Sequence, residues 1–238
     1  MISKQVDIKN ELPDDLWIVI PAYNEETAIG IVLHNLKKVG FTHLLVVNDG
    51  SADKTSEVAQ KEGAIVLRHA INRGYGAALK TGFLGALRLK ANWVVTCDAD
   101  GQHLAEDVLT VAKELIISGN NMVIGSRYKD SVKQQIPLNR VIYTKTSNKL
   151  NQILNRNNLS DSQSGLRGYD RRALECMDLS CRGMGCSLEI LKQVSCHKLK
   201  IGEIPIKAIY TKYSMSKGQS FSGGLKTVFG LIMGEIAR

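Results

Sequence analysis

Trp93-Val94-Val95-Thr96-Cys97-Asp98-Ala99-Asp100-Gly101-Gln102-His103 is the stretch on which the reading of the fold turns. Its first four residues form a short apolar run that reads as a buried strand. The run leads into two carboxylates two residues apart, Asp98 and Asp100. In α/β proteins, ligands bind at the carboxyl ends of parallel strands. Hard oxygen donors suit Mg²⁺ or Mn²⁺, ions that often share their coordination with substrate phosphates. An acidic triplet alone also suits an Asx-capped turn, so its weight depends on the rest of the chain.

The same pattern recurs outward from it. Apolar runs at 16–20 (stopped by Pro21), 43–47, 64–67, 93–96 and 121–125 read as strands. Helical periodicity fills 26–39, 54–62, 74–90 and 107–118, with Ile29, Val32, Leu33, Leu36 and Val39 on one stripe and Gly40 after it. Strand and helix alternate about every 25 residues, which is the pattern of a doubly wound, mostly parallel sheet. A polar loop follows each strand: Pro21-Ala22-Tyr23-Asn24-Glu25-Glu26, Asn48-Asp49-Gly50-Ser51, Asn72-Arg73-Gly74-Tyr75-Gly76, the acidic triplet, and Ser126-Arg127-Tyr128. Parallel strands bring these loops to one rim, so one site is expected there.

After 126 the pattern changes. A helix rich in Asn, Lys and Thr is expected at 138–155, a short strand at 165–169, helices at 171–177 and 187–195, and a strand at 200–210 that Pro205 assigns to a sheet edge. A polar Gly/Ser-rich loop at 212–224 precedes an amphipathic segment at 225–236. With no repeat and no linker, one domain spans 1–238, its halves being 1–126 and 127–238.

The 238 residues are 44% hydrophobic and 23% charged, ordinary for a globular protein. No apolar run approaches the ~20 residues of a membrane span, and the amino terminus lacks a secretory core. A cytoplasmic protein is expected. The five cysteines, an odd count, point to reduced thiols. Cys176, Cys181 and Cys186 are separated by four residues each, a poor match to zinc-site spacing. Residues 1–126 carry 12 Lys+Arg against 15 Asp+Glu, a net −3; residues 127–238 carry 19 against 8, a net +11. A basic second half implies an anionic partner. Aromatic residues are only 5%, a poor supply of stacking platforms, and no recognition-helix signature is present, so nucleic acid is not the expected partner. Gly74-x-Gly76 is not a dinucleotide fingerprint, because Leu79 stands where the third glycine belongs; the chain has no Walker A sequence either.

In order, Pro-Ala-Tyr-Asn-Glu, Asn-Asp-Gly-Ser, Asn-Arg-Gly-Tyr-Gly, Asp-Ala-Asp-Gly-Gln-His, Gly-Ser-Arg-Tyr, Asp-Ser-Gln-Ser-Gly-Leu-Arg and Glu-Ile-Pro-Ile span about 16–217. The set resembles the family 2 inverting glycosyltransferases, in particular the dolichyl-phosphate mannose synthase and polyprenyl-phosphate sugar synthase branch. The resemblance implies the GT-A fold: a Rossmann-like, mostly parallel sheet flanked by helices, here with a C-terminal amphipathic helix. It also implies that Pro21, Ala22, Tyr23, Glu25 and Asp49 hold the base and ribose of a nucleotide sugar. Asp98 would lie near nucleotide and metal, with Asp100 and Gln102 as direct ligands of Mg²⁺ or Mn²⁺. Arg127 and Arg140 would grip phosphate with Thr144 beside them, and Arg167 would lie near the sugar. Relatives often carry an arginine where this chain has Lys212, which lacks the guanidinium fork.

A lipid phosphate is already an anionic nucleophile, so transfer to polyprenyl phosphate needs no general base. Transfer to a sugar hydroxyl in polysaccharide assembly would need one, and Glu189 and Asp161 are the candidates. A nucleotide-sugar-binding protein without turnover is a further alternative. The segment 225–236 suits peripheral contact with the cytoplasmic membrane face, packing on the core, or a second copy of the chain in a homo-oligomer.

Overall fold

The computed structural model describes residues 12–129, 136, 138–155, 157–180, 185–207 and 209, without the side chains of residues 139, 140 and 154. Strands β1 (Leu16–Ala22), β2 (Leu44–Asn48), β3 (Ile65–Arg68), β4 (Trp93–Thr96) and β5 (Met122–Ser126) alternate with α1 (Ile29–Lys38), α2 (Thr55–Lys61), α3 (Tyr75–Arg88) and α4 (Ala105–Ser118). α5 (Leu138–Asn155), β6 (Arg167–Asp170), α6 (Arg171–Cys176), α7 (Cys186–Cys196) and β7 (Ile201–Pro205) follow. The expected doubly wound architecture is therefore present, and α5 has the expected bounds.

The described residues form one seven-stranded sheet, ordered β3-β2-β1-β4-β6-β5-β7. β6 runs antiparallel to both β4 and β5, and the other pairings are parallel. All residues of β1, β2 and β5 are buried, as continuous apolar runs covered on both faces should be. One face packs on α1, α2 and α4 through residues such as Leu33, Ala59 and Val111. The other packs on α3, α6 and α7 through Phe83, Leu174 and Ile190.

Two local differences have clear causes. Pro21 does not stop β1. Pairing of β1 with β4 ends at Val19↔Thr96, so the side of Pro21 that lacks an N–H faces no partner strand, while β2 continues alongside to Asn48. The strand expected over 200–210 covers only Ile201–Pro205 at the sheet edge, followed by a last bond from Ile206 N to Ser126 O. The loop at 212–224 and the amphipathic helix at 225–236 lie outside the described residues. No helix among those described is long and apolar enough to cross a membrane.

Candidate active site

The acidic loop leaves β4 at the carboxyl rim of the sheet. About a third of the Asp98 side-chain surface is open, 34%. His103 Nε2 lies 3.3 Å from one carboxylate oxygen and the Tyr75 hydroxyl donates to the other at 3.4 Å. Burial alone would raise its pKa, but the hydrogen bond and charge of His103, the Arg127 guanidinium and the Tyr75 hydroxyl outweigh it and hold Asp98 below the ordinary carboxylate range. Asp100 moves the opposite way: burial, then the charge of Asp98, pushes it up to about 6. Gln102 holds Asp100 in place, donating from its backbone N at 3.0 Å and from Nε2 at 2.7 Å. Two carboxylates that resist sharing negative charge form a natural seat for a cation. Among the described residues no group of three or more His, Cys, Asp or Glu could hold a metal. The loop thus supplies a partial shell, suited to an ion that completes its coordination on a substrate diphosphate.

The loops after β1 and β2 are laced together. Asn24 N donates to Ser51 Oγ, Glu25 N to Thr55 Oγ1 and Ala52 N to Asn24 Oδ1, at 2.8–2.9 Å. Pro21, Ala22 and Glu25 are buried here, and Tyr23 is 46% exposed at the rim. Asp49 is buried and its carboxylate points into the protein. It accepts from Arg73 N at 2.9 Å and Gly74 N at 2.7 Å, and lies 2.6 Å from His69 Nδ1. It therefore organises the loop that starts α3. Gly50 makes this possible: its φ is +74°, and a Cβ there would lie 2.4 Å from the Ile71 carbonyl carbon.

In the loop after β5, Arg127 forms a forked ion pair with Asp161, Nε at 2.7 Å and Nη2 at 2.8 Å, with Arg127 N also donating at 3.1 Å. Asp161 is wholly buried and the Arg127 side chain only 11% exposed. Glu203, from β7, accepts from Ser160 N, Ser160 Oγ and Asp161 N, fixing the segment that carries Asp161. Arg167 is buried with two donors on the carbonyls of Ser164 and Ser162, both at 2.7 Å. It braces the loop whose Gly165 lies against Asp98: a Cβ on Gly165 would stand 2.8 Å from both carboxylate oxygens. Thr144, buried on α5, accepts from the Tyr128 hydroxyl at 3.4 Å.

The fold brings Pro21, Ala22, Tyr23, Glu25, Asp49, Asp98, Asp100, Gln102 and Arg127 to the loops of one rim. Arg140 lies on the first turn of α5 but its side chain is not described, and Lys212 lies outside the described residues. Glu189 sits at the start of α7, bound to Ser180 N at 2.9 Å and Ser180 Oγ at 2.5 Å. Tyr75, His103, Gly165 and Glu203 also shape the site, though the sequence reading gave them no role. All four stand inside motifs quoted above, so position alone could have nominated them.

A mostly parallel sheet with an acidic pair after β4 and an arginine loop after β5 defines a protein of the GT-A class. The structure matches glucosyl-3-phosphoglycerate synthase from Mycobacterium tuberculosis in complex with Mn²⁺, UDP and glucosyl-3-phosphoglycerate, with a TM-score of 0.66 over 90% of this chain and 78% of that one, at 19% identity. Residues 17–178 match the model of Glycosyl transferase family 2; the chain belongs to that family and is a glycosyltransferase. It is 43% identical to the uncharacterized protein MJ1222 of Methanocaldococcus jannaschii, over 99% of each chain. It is 34% identical to the UDP-N-acetylglucosamine–dolichyl-phosphate N-acetylglucosaminyltransferase of Methanococcus voltae, over 92% of this chain and 95% of the relative.

Proposed function

We propose that the protein transfers one sugar from a UDP- or GDP-sugar to a polyprenyl phosphate, with inversion and with Mg²⁺ or Mn²⁺, at the cytoplasmic face of a membrane. The observation that carries this is the state of the two carboxylates eligible as a general base. Asp161 is locked in a fork with Arg127, and Glu189 is bound to Ser180. A hydroxyl acceptor would need one of them; a phosphate acceptor needs neither. The Methanococcus voltae relative, named for transfer to dolichyl phosphate, supports the same acceptor.

In this reading a phosphate oxygen forms the bond to the anomeric carbon from the side opposite the nucleotide. The bond from that carbon to the diphosphate oxygen breaks, and the electron pair leaves with the diphosphate. Asp98, Asp100 and Gln102 would hold the metal, which supplies charge neutralisation to the departing diphosphate. Pro21, Ala22, Tyr23 and Glu25 line the base and ribose side, and Asp49 positions the loop beside them. Arg127, aimed by Asp161, and Arg140 with Thr144 offset the repulsion between two phosphates that must meet in line, where positioning supplies much of the rate. Arg167 acts as the brace of the Gly165 loop. Lys212, three positions beyond Ile209, would add a point charge; Ile209 N itself donates to Gln102 O at 3.1 Å.

The test is incubation with Mn²⁺, short-chain polyprenyl phosphate and a panel of UDP- and GDP-sugars, read by mass spectrometry for a lipid-linked monosaccharide. A product with one donor, lost in Asp100→Ala, is the expected result. Donor binding by folded protein without lipid product would sink the reading and favour a hydroxyl acceptor.

A further inference from the structure

Helix α5 is built inside out. A surface helix ordinarily buries its apolar stripe and exposes its polar one. Among the described side chains of α5 the buried ones are Thr144, Ser147, Asn151 and Asn155, while Leu138, Ile142 and Ile153 are 76%, 50% and 68% exposed. The polar inner face has work to do. Asn148 Nδ2 donates to Ser160 O at 2.7 Å, its Oδ1 accepts from Ser162 N at 2.9 Å, and Asn155 Nδ2 donates to Asn151 Oδ1 at 2.9 Å. The outer face has no such partners among the described residues.

Lys145 and Lys149, both exposed, stand between those apolar side chains. At 100° per residue, Leu138, Ile142, Lys145, Lys149 and Ile153 fall within roughly 80° of arc, along about 22 Å of helix. No Asp or Glu occurs anywhere in α5. Large apolar side chains interleaved with lysines, and no carboxylate to repel an anionic headgroup, are the chemistry of an interfacial helix.

We propose that the outer face of α5 is the surface by which the protein docks on an anionic lipid bilayer. The inference rests on the proposed lipid-phosphate acceptor and adds where the bilayer sits. The same helix turns its inner face to the 160–162 segment that aims Arg127, so docking through the outer face would hold that segment about one helix diameter, ~10 Å, from the bilayer surface.

The test uses the full chain and cosedimentation with vesicles of mixed phosphatidylglycerol and phosphatidylcholine. Wild type should bind, bind less to pure phosphatidylcholine, and release as salt rises. Lys145→Gln/Lys149→Gln should lower partitioning by about 30-fold, from roughly fivefold for each lysine near an anionic surface. Ile142→Ser/Ile153→Ser should lower it by about tenfold through lost apolar insertion. Both variants alter exposed side chains and should melt with wild type. Transfer to a short, water-soluble polyprenyl phosphate should be unchanged in both, which reads the acceptor separately: no product there defeats the proposed function, while face-dependent vesicle binding still supports the docking surface. The docking proposal is overturned if wild type does not bind the vesicles, or if both variants bind as wild type does. It is equally overturned if the variants change only self-association in sedimentation velocity, which would assign the face to a second copy, or only the protection of residues beyond 209 from proteolysis, which would assign it to this chain's own carboxyl end.

Discussion

Asp161→Asn is the substitution that most directly probes the arginine loop after β5. Asp161 is wholly buried and carries three hydrogen bonds from Arg127, at 2.7, 2.8 and 3.1 Å. Removing one partner of a buried ion pair costs about 3–5 kcal/mol, because the other charge is left uncompensated. Here two features lower the cost: asparagine keeps one acceptor oxygen, and Arg127 retains 11% exposure through which water can reach it. A loss of about 3 kcal/mol, at the low end of that range, is expected. For a chain of this size that is a fall in melting temperature of roughly 6–12 °C. Thermal unfolding followed by circular dichroism measures it. Turnover should fall as Arg127 loses its aim, with the shape of the pH profile preserved. A variant that melts with wild type refutes the reasoning, since the pair would then carry no structural weight. So does one that stays stable but loses the ascending limb of the pH profile of kcat, since Asp161 would then be acting as a base.

Gly165→Ala would press a methyl against the Asp98 carboxylate at 2.8 Å; displacement of that group by about 1 Å should cost roughly 100-fold in kcat/KM, with a urea transition close to wild type. Gly50→Ala combines a positive φ with a 2.4 Å clash on the Ile71 backbone, and a loss of about 3–5 kcal/mol is expected in urea unfolding. Asp100 titrates near 6 because of burial and the Asp98 charge. Above that pH it is ionised and competent for a cation, and below it protons compete, so Mn²⁺ affinity by calorimetry should be flat above about pH 7 and fall up to tenfold per unit below 6. The sign for folding is opposite: with its folded pKa raised, ionised Asp100 costs stability above 6, and that cost fades as pH falls toward the ordinary carboxylate value. Glu189→Gln keeps an acceptor for Ser180 and should leave lipid-phosphate transfer within about twofold of wild type; loss of turnover would instead make Glu189 the base.

The first five strands were legible because each is a short apolar run flanked by a helix with its own stripe; β1, β2 and β5 are buried throughout, whereas β3, at the sheet edge with Ile65 43% exposed, was read from its apolar residues alone. That signal is local. The place of β6 was not legible. A short strand is expected at 165–169 and β6 occupies Arg167–Asp170, but nothing in so few residues says that it runs antiparallel between β4 and β5. The site divides the same way. Position after a strand nominated Asp98, Asp100 and Arg127, and the structure brings them to one rim. It did not tell which way a side chain points. Asp49 turns inward to the loop before α3, Arg167 turns inward to the Ser162 and Ser164 carbonyls, and Asp161 meets Arg127 from 34 positions away. Such partnerships belong to tertiary geometry, where one polar residue's exposure depends on a segment remote in sequence.

The central position of β6 bears on how the molecule is made. Among the described residues β5 pairs only with β6 and β7, both of which follow it in the chain. Met122, Val123 and Ile124, fully buried in the finished protein, have no strand beside them when they leave the ribosome. Roughly 45 residues separate β5 from the end of β6, about 2–9 s of synthesis at 5–20 residues per second. Throughout that interval the nascent amino-terminal half carries a bare apolar edge, the kind of surface that templates aggregation. The two halves of the chain are therefore not separable modules: the basic half supplies the strand that closes the sheet of the acidic half, and a fragment ending at 126 would keep that edge open for good.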